Sequence, residues 1–355
     1  MTHDRPDDHA HDHPHDHPHD RPHDRPDVSV IIVSYNTREL TVACVRSVLA
    51  HTTGCTTEII VVDNDSADGS ADALRGAFPD ITVIANRDNV GFATANNQGM
   101  AVAKGGWILL LNSDTELHDD AISASLEFAR TRERLGVVGC RLFGLDGRQQ
   151  SSLFRFLSLR ELVVNLFVPN SVMRRSKALG FSRYAGVDRD RVLDVDAVAG
   201  AFMLLPREVY ERAGGMDETF FMYGEEAEWC WRIRRRGYSI VYYPGARITH
   251  FGGASAKQDW ASMTLSMAKG QVLFLRKTRA YPVAWLANAM MTLRDTPRWI
   301  VYTLLGLLPG ARWRQARERL ALSARRFPHH LAGLVGMGWL SAANHTRPRP
   351  VGGRP

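Results

Sequence analysis

Cysteine is scarce in this chain of 355 residues: Cys44, Cys55, Cys140 and Cys230 are far apart and form no C-x-x-C pair. A structural zinc site and a disulfide framework are therefore not expected. No stretch offers the roughly 18 uninterrupted apolar residues of a conventional spanning helix. The opening residues, Met1-Thr2-His3-Asp4-Arg5-Pro6, have no apolar run of the secretory-leader kind. Neither G-x-G-x-x-G nor G-x-x-x-x-G-K-[ST] occurs, which counts against dinucleotide oxidoreductases and P-loop enzymes. The expected compartment is the cytoplasm, with the inner face of the cell membrane left open.

Charge of one sign is also missing from most of the chain. The formal net charge is +6, but it averages three unlike regions. Residues 1–27 hold eight Asp, three Arg and eight of the fourteen His, a formal −5. Residues 271–355 hold fourteen Lys or Arg against Asp295 and Glu318, giving +12, which leaves −1 for residues 28–270. A uniformly basic nucleic-acid binder is not spelled this way. The His-Asp-His-Pro tail lacks apolar residues to bury, so disorder is expected there, as a solvated tail or an imidazole tract able to bind Zn²⁺ or Ni²⁺.

What is present from Val28 onward is a regular alternation. Val28–Val33, Glu58–Val62, Ile81–Ile84 and Trp107–Leu111 read as buried strands. Helical patterns lie between them over Arg38–Ala50, Ala71–Phe78 and Ala93–Ala103. Apolar strands alternating with helices predict an α/β fold, a mostly parallel sheet covered on both faces. Ligands of such sheets bind beyond the carboxyl ends of the strands, where this sequence places Asp63 and Asn112/Asp114. A nucleotide diphosphate held without a Gly-rich loop needs a divalent cation, and Asp114 suits that task, since Mg²⁺ uses one or two carboxylates plus phosphate oxygens.

The ordered blocks carry a resemblance. They are Val30-Ile31-Ile32-Val33-Ser34-Tyr35-Asn36, Val61-Val62-Asp63-Asn64-Asp65-Ser66-Ala67-Asp68-Gly69-Ser70, Asn89-Val90-Gly91-Phe92-Ala93 and Leu111-Asn112-Ser113-Asp114. Gly200-Ala201-Phe202-Met203, Gly214-Gly215-Met216-Asp217-Glu218 and Phe220-Phe221-Met222-Tyr223-Gly224-Glu225-Glu226 follow. Over about residues 28–255 the chain resembles family 2 glycosyltransferases of the GT-A fold, most of all bacterial rhamnosyltransferases that build cell-wall linkers and polysaccharides. The resemblance implies an inverting transfer from a nucleotide-diphosphate sugar, such as dTDP-L-rhamnose, to a hydroxyl of a lipid-linked or polysaccharide acceptor. It leaves a catalytically silent carbohydrate-binding member of the same fold as the alternative. A nucleotidyltransferase ranks low, because the segment after the first strand is Ser34-Tyr35-Asn36-Thr37-Arg38 and not a Gly-rich activation loop.

By this resemblance Asp63 accepts from the pyrimidine N–H, with Tyr35 and Asn36 lining the base pocket. Asn89, Gly91 and Asn97 shape the donor pocket, the alternative for these three being turn and helix-cap duty. Asn112, Ser113 and Asp114 stand at the D-x-D motif, with Asn in its first position, and Asp114 and His250 would hold Mg²⁺ or Mn²⁺. Gly200, Ala201, Asp217 and Glu225 are placed on the acceptor side. Glu226 takes the place of the family's catalytic base with one extra methylene, its alternative being an acidic residue in the first turn of a helix over Glu225–Arg236.

Two segments are less legible. Residues 151–193 read either as a flap over a charged acceptor or as a helical insertion with a solvated face. Near the end, Ala280–Leu293 and Trp299–Ala311 are apolar stretches separated by Arg294–Arg298. With their aromatic and cationic borders they are expected to lie on an anionic membrane surface, the alternative being core packing or a homodimer interface. The resulting division is a disordered tail (1–27), a GT-A domain (28–270), a basic helical extension (271–345) and a disordered end (346–355).

Overall fold

The computed structural model describes residues 25–160, 163–164, 168, 184, 187–252 and 260–306. The expectations for the His/Asp tail up to residue 24, for Gly253–Ser255, for most of the proposed flap and for residues beyond 306 lie outside these residues.

The predicted alternation is present as β1 (Val28–Ser34), α1 (Arg38–His51), β2 (Thr57–Asp63), α2 (Ser70–Ala77), β3 (Thr82–Ala85), α3 (Phe92–Val102) and β4 (Trp107–Asn112). There follow β5 (Thr115–Glu116), α4 (Ala121–Arg130), β6 (Leu135–Phe143), β7 (Leu153–Phe154), β8 (Leu193–Asp194), β9 (Ala197–Val198) and β10 (Phe202–Pro206). The chain continues through α5 (Arg207–Ala213), α6 (Glu225–Arg235), β11 (Ser239–His250), α7 (Trp260–Thr278) and α8 (Tyr281–Gly306). Among the described residues the strands form a nine-stranded sheet in the order β3-β2-β1-β4-β10-β6-β11-β5, with β8 added on β11, and β7-β9 form a separate pair. Strands β1 to β4 are parallel, β10 enters antiparallel to both β4 and β6, and β6 and β11 run parallel.

Successive residues of a strand point to opposite faces, and the core divides accordingly. Val30, Ile32, Ile59, Val61, Leu109 and Leu111 join one cluster, packed with Val45 and Val48 of α1 and Leu126 of α4. Ile31, Ile60, Val62, Ile108 and Leu110 join the other, packed with Ala95 and Met100 of α3 and Trp229 of α6. This two-sided burial is why the strands read as unbroken apolar runs. The last strand is longer than the apolar run Ser239–Tyr243: it reaches His250, with a register shift between Tyr243 and Arg247 at Pro244-Gly245.

The C-terminal expectation needs correction. The two apolar stretches are not separate helices: α8 runs unbroken through Arg294–Arg298. The boundary expected at 270/271 falls inside α7, whose Val272, Leu273, Phe274 and Leu275 form a third core cluster with Ala284, Ala287 and Phe220.

One side chain ties three segments of the scaffold together. Asp120 caps α4 by accepting from the Ser123 N–H (3.1 Å). Its other oxygen accepts from the N–H and hydroxyl of Thr53 and from the Gly54 N–H, at 2.9–3.0 Å. Burial works against its charge, but these donors win and hold the carboxyl down at about 2. Asp120→Ala should cost on the order of 1 kcal/mol in urea unfolding. Because the folded-state pKa is depressed, that difference should be full above about pH 5 and fade toward about pH 2. A difference independent of pH would contradict the assignment.

Candidate active site

Parallel register sets Ser34 beside Asp63 and Val33 beside Asn112. The ends of β1, β2 and β4 therefore finish on one edge, and the polar residues that follow them share it. Asp63 is 3% exposed. Its Oδ2 accepts from the Ser66 N–H at 3.1 Å, while Oδ1 is buried without a hydrogen-bond partner among the described residues. An unmet buried acceptor costs about 1–3 kcal/mol, and a ligand N–H would relieve it. Asn36, in the left-handed region at φ 51°, binds this turn to the β1–α1 loop. Its N–H donates to the Ser66 hydroxyl (2.9 Å) and its Oδ1 accepts from the Ala67 N–H (2.7 Å). Tyr35 beside it is half-buried.

Asp114 and Ser113 are buried just past β4. Ser113 lies 3.2 Å from the Thr37 hydroxyl, which anchors the loop. Asp114 Oδ1 lies 3.3 Å from His250 Nε2, and its carbonyl accepts from the Phe251 N–H. Gln150, absent from the sequence reading, orients that histidine: its Nε2 donates to the His250 carbonyl and its Oε1 faces Nδ1, both at 2.8 Å. With the amide in this orientation, Nδ1–H donates to Gln150 Oε1. Asp114 Oδ1 and Asn112 Nδ2 both face His250 Nε2, at 3.3 and 3.5 Å, and Asn112 Oδ1 is buried with no hydrogen-bond partner among the described residues. A carboxylate, an imidazole and an unmet amide oxygen are a donor set that fits Mg²⁺ or Mn²⁺. Among the described residues no three His, Cys, Asp or Glu side chains converge, so the Asn oxygen is needed to complete a protein triad.

Other predicted residues hold the scaffold. Asn89 Oδ1 accepts from the Gly91 N–H (3.0 Å) and from Asn64 Nδ2 (2.9 Å), which is turn duty. Gly91, at φ 88°, lets the Phe221 carbonyl reach the Phe92 N–H at 2.8 Å; a Cβ there would lie 2.7 Å from that oxygen. Asn97 anchors a loop: its Nδ2 donates to the Met216 carbonyl and Glu218, and its Oδ1 accepts from the Met216 N–H. Asp217, expected on the acceptor side, likewise spends both oxygens on protein, one on Lys277 Nζ (2.5 Å) and one on the N–H and hydroxyl of Thr219. Gly200 and Ala201 enter β10, and the Ala201 carbonyl accepts from the Asn112 N–H at 3.2 Å. They border the Asn112 end of β4 directly.

The remaining carboxylates open α6. Glu225 is 3% exposed, and its Oε2 is buried with no hydrogen-bond partner among the described residues. Burial, followed by the adjacent Glu226 charge, pushes its carboxyl well above the ordinary range. Glu226 is half-buried and is also raised by burial; its Oε2 accepts from the Gly224 N–H at 3.2 Å. Burial raises the Tyr223 phenol too, and the charges of Glu225, Glu226 and Asp114 all add to that shift. The turn before α6 and the β4 end therefore share one electrostatic site.

Residues 29–190 match the family described as Glycosyl transferase family 2. The chain carries a family 2 glycosyltransferase domain. The N-acetylglucosaminyl-diphospho-decaprenol L-rhamnosyltransferase of Mycobacterium tuberculosis H37Rv is 26% identical over 258 residues, 67% of this chain and 81% of that protein. The succinoglycan biosynthesis protein ExoO of Rhizobium meliloti is 33% identical over 156 residues, 42% of this chain and 44% of its own length. The mannosyltransferase PcManGT from Pyrobaculum calidifontis, solved with GDP-Man and Mn²⁺, shares the fold: TM-score 0.53 at 17% identity, covering 89% of each chain. The enzyme is a glycosyltransferase of GT-A fold. A cavity of about 770 Å³ lined by Trp107, Arg134, Arg236 and Tyr238 sits instead at the starts of β4, β6 and β11, opposite the site.

Gln150→Leu should weaken metal support of nucleotide binding by roughly 10–100-fold while leaving the fold intact, as loss of an orienting partner does at metal-binding histidines. A titration with Mn²⁺ against nucleotide diphosphate checks this, and an unchanged metal requirement would remove His250 from the site.

Proposed function

We propose that this glycosyltransferase moves a sugar, with inversion, from a nucleotide diphosphate to a hydroxyl of a lipid-linked or polysaccharide acceptor of the cell envelope. The observation that carries this reading is the meeting of two ligand-seeking strand ends, Asp63 and Asn112/Asp114, with the paired carboxylates of α6 around Tyr223. Asp63 receives the base N–H at its unmet Oδ1, and Tyr35 and Asn36 border that pocket. Asp114, Asn112 and His250 hold Mg²⁺ or Mn²⁺, which neutralises the diphosphate and its departing charge. Glu226 takes the proton of the acceptor hydroxyl as that oxygen bonds to the anomeric carbon and the bond to the diphosphate oxygen breaks. Its Oε2 is held by the Gly224 N–H, and Oε1 has no hydrogen bond among the described residues. Burial and the charge of Glu226 both push Glu225 toward its neutral form.

The donor proposed is dTDP-L-rhamnose, supported by the mycobacterial relative, which is named as an L-rhamnosyltransferase of a diphospho-decaprenol acceptor. The membrane reading is supported by α8, which exposes Tyr281, Trp285, Leu286, Leu293, Ile300 and Leu304. Among the described residues no helix is long and apolar enough to cross a membrane, so the proposed mode is interfacial. Arg276, stacked over Tyr281 at 5.7 Å, begins the cationic border. On this reading the enzyme works at the cytoplasmic face of the cell membrane.

A panel of nucleotide sugars assayed for metal-dependent hydrolysis should single out dTDP-rhamnose; selection of another sugar would overturn the donor assignment. Glu226→Gln should abolish turnover with donor affinity near wild type. In the unaltered enzyme kcat should fall with acid on a limb displaced upward from the ordinary Glu value of about 4.3, because the base acts only when ionised. Normal turnover in Glu226→Gln would remove it from the mechanism. Leu293→Asp/Leu304→Asp should release the enzyme from anionic vesicles without loss of hydrolysis; undiminished cosedimentation would refute docking by α8.

A further inference from the structure

The segment from Asp217 to Glu226 is held from two sides. On the donor side the Phe92 N–H donates to the Phe221 carbonyl, at the close approach Gly91 permits. On the other side lies α7, and the contact is between backbones. A Cβ built on Gly270 would overlap the Tyr223 carbonyl oxygen and lie 2.8 Å from its carbon. A Cβ on Gly224 would lie 3.2 Å from the Gly270 carbonyl carbon and oxygen. Tyr223 and Gly224 are both in the left-handed region, at φ 70° and 100°. A tyrosine seldom adopts that conformation unless its surroundings hold it there. Phe220, just before them, is buried in the cluster built by α7 and α8. Seven residues beyond Gly270 along α7, Lys277 pairs with Asp217 at the start of the same segment.

We propose that Gly270 is a positioning residue for the transfer reaction: by lacking a side chain it lets α7 seat on the Tyr223–Gly224 turn and fix where α6 begins, while Lys277 fastens the start of that loop to the same helix. The proposal rests on the reading of Glu226 as base, since Glu226 is what the turn presents. It makes the helices after residue 260 part of the catalytic apparatus and not an appended anchor. Adding one methyl group at Gly270 forces the turn or the helix to move by about an ångström or more. Misplacement of about 1 Å at a reacting group costs on the order of 10²-fold in rate.

The test is steady-state kinetics of Gly270→Ala in the full chain with the best donor from the panel, alongside Glu226→Gln, with hydrogen exchange over 220–228. Expected are a kcat at least about tenfold down, donor KM within about twofold of wild type and faster exchange confined to that turn. A kcat within twofold of wild type, or a parallel loss of donor affinity and thermal stability, would overturn the proposal. If Gly270→Ala fails to fold, Lys277→Met decides: kcat should fall severalfold at constant donor KM and recover in Lys277→Arg, whereas wild-type kcat in Lys277→Met overturns it. Normal turnover in Glu226→Gln with a slow Gly270→Ala would sink the base assignment and leave the crossing standing. A dead Glu226→Gln with a fast Gly270→Ala would do the reverse.

Discussion

The rest of the structure depends on the shared register of β1, β2 and β4. Each residue of these parallel strands spends its backbone donor and acceptor on a neighbour, so the strands stop together and their polar successors stand on a common edge. That is how residues as distant in sequence as Asp63 and Asp114 come to one site. The apolar layers on both faces of the sheet make the edge rigid, because shifting any of these strands by one residue would exchange the two cores. A donor site built there is preorganised by the core itself. Its unmet acceptors, Asp63 Oδ1 and Asn112 Oδ1, are a cost that the rigid sheet sustains and that ligands relieve.

The opposite half of the site is built on other terms. Glu225 and Glu226 start a helix whose N-terminal dipole favours negative charge, yet burial raises both carboxyls. Two adjacent carboxylates in a dry turn cannot both stay ionised cheaply. Burial raises the deeper Glu225 and the charge of Glu226 raises it again, while Glu226 itself is half-buried. The family pattern drew attention to the second position; the structure supplies the physical difference between the two.

The parallel half of the sheet was legible because each strand is an apolar run with a turn-forming stop, and the polar residues after Val62 and Leu111 announced the edge. The antiparallel insertion of β10 between β4 and β6 was not, since Phe202–Pro206 carries no mark of direction. Gln150 escaped notice because its work, fixing a tautomer 100 residues away, leaves no local pattern. Asn97 and Asp217 show the complementary case: residue type and motif position suggested ligand binding, and no local pattern announced their long-range ties to Met216 and Lys277. Along α8 the charged interruption at 294–298 looked like a break because hydropathy changed there, whereas helix continuity follows backbone hydrogen bonds, which no hydropathy pattern reports.

These differences bear on how the basic end of the chain relates to its near-neutral middle. A terminal anchor tethered by a flexible linker would raise only the local concentration of a membrane-bound acceptor. Here no such linker intervenes after residue 260: α7 packs against the turn before α6, and α8 packs on α7 through Ala284 and Ala287. The apolar face of α8 is therefore joined through one packed cluster to the helix whose backbone meets the Tyr223–Gly224 turn. The two halves of the site thus rest on different parts of the molecule. On the proposed function, donor binding would rest on the sheet and the placement of the base on helices whose outer face is apolar. That arrangement suits an acceptor embedded in lipid better than a soluble one.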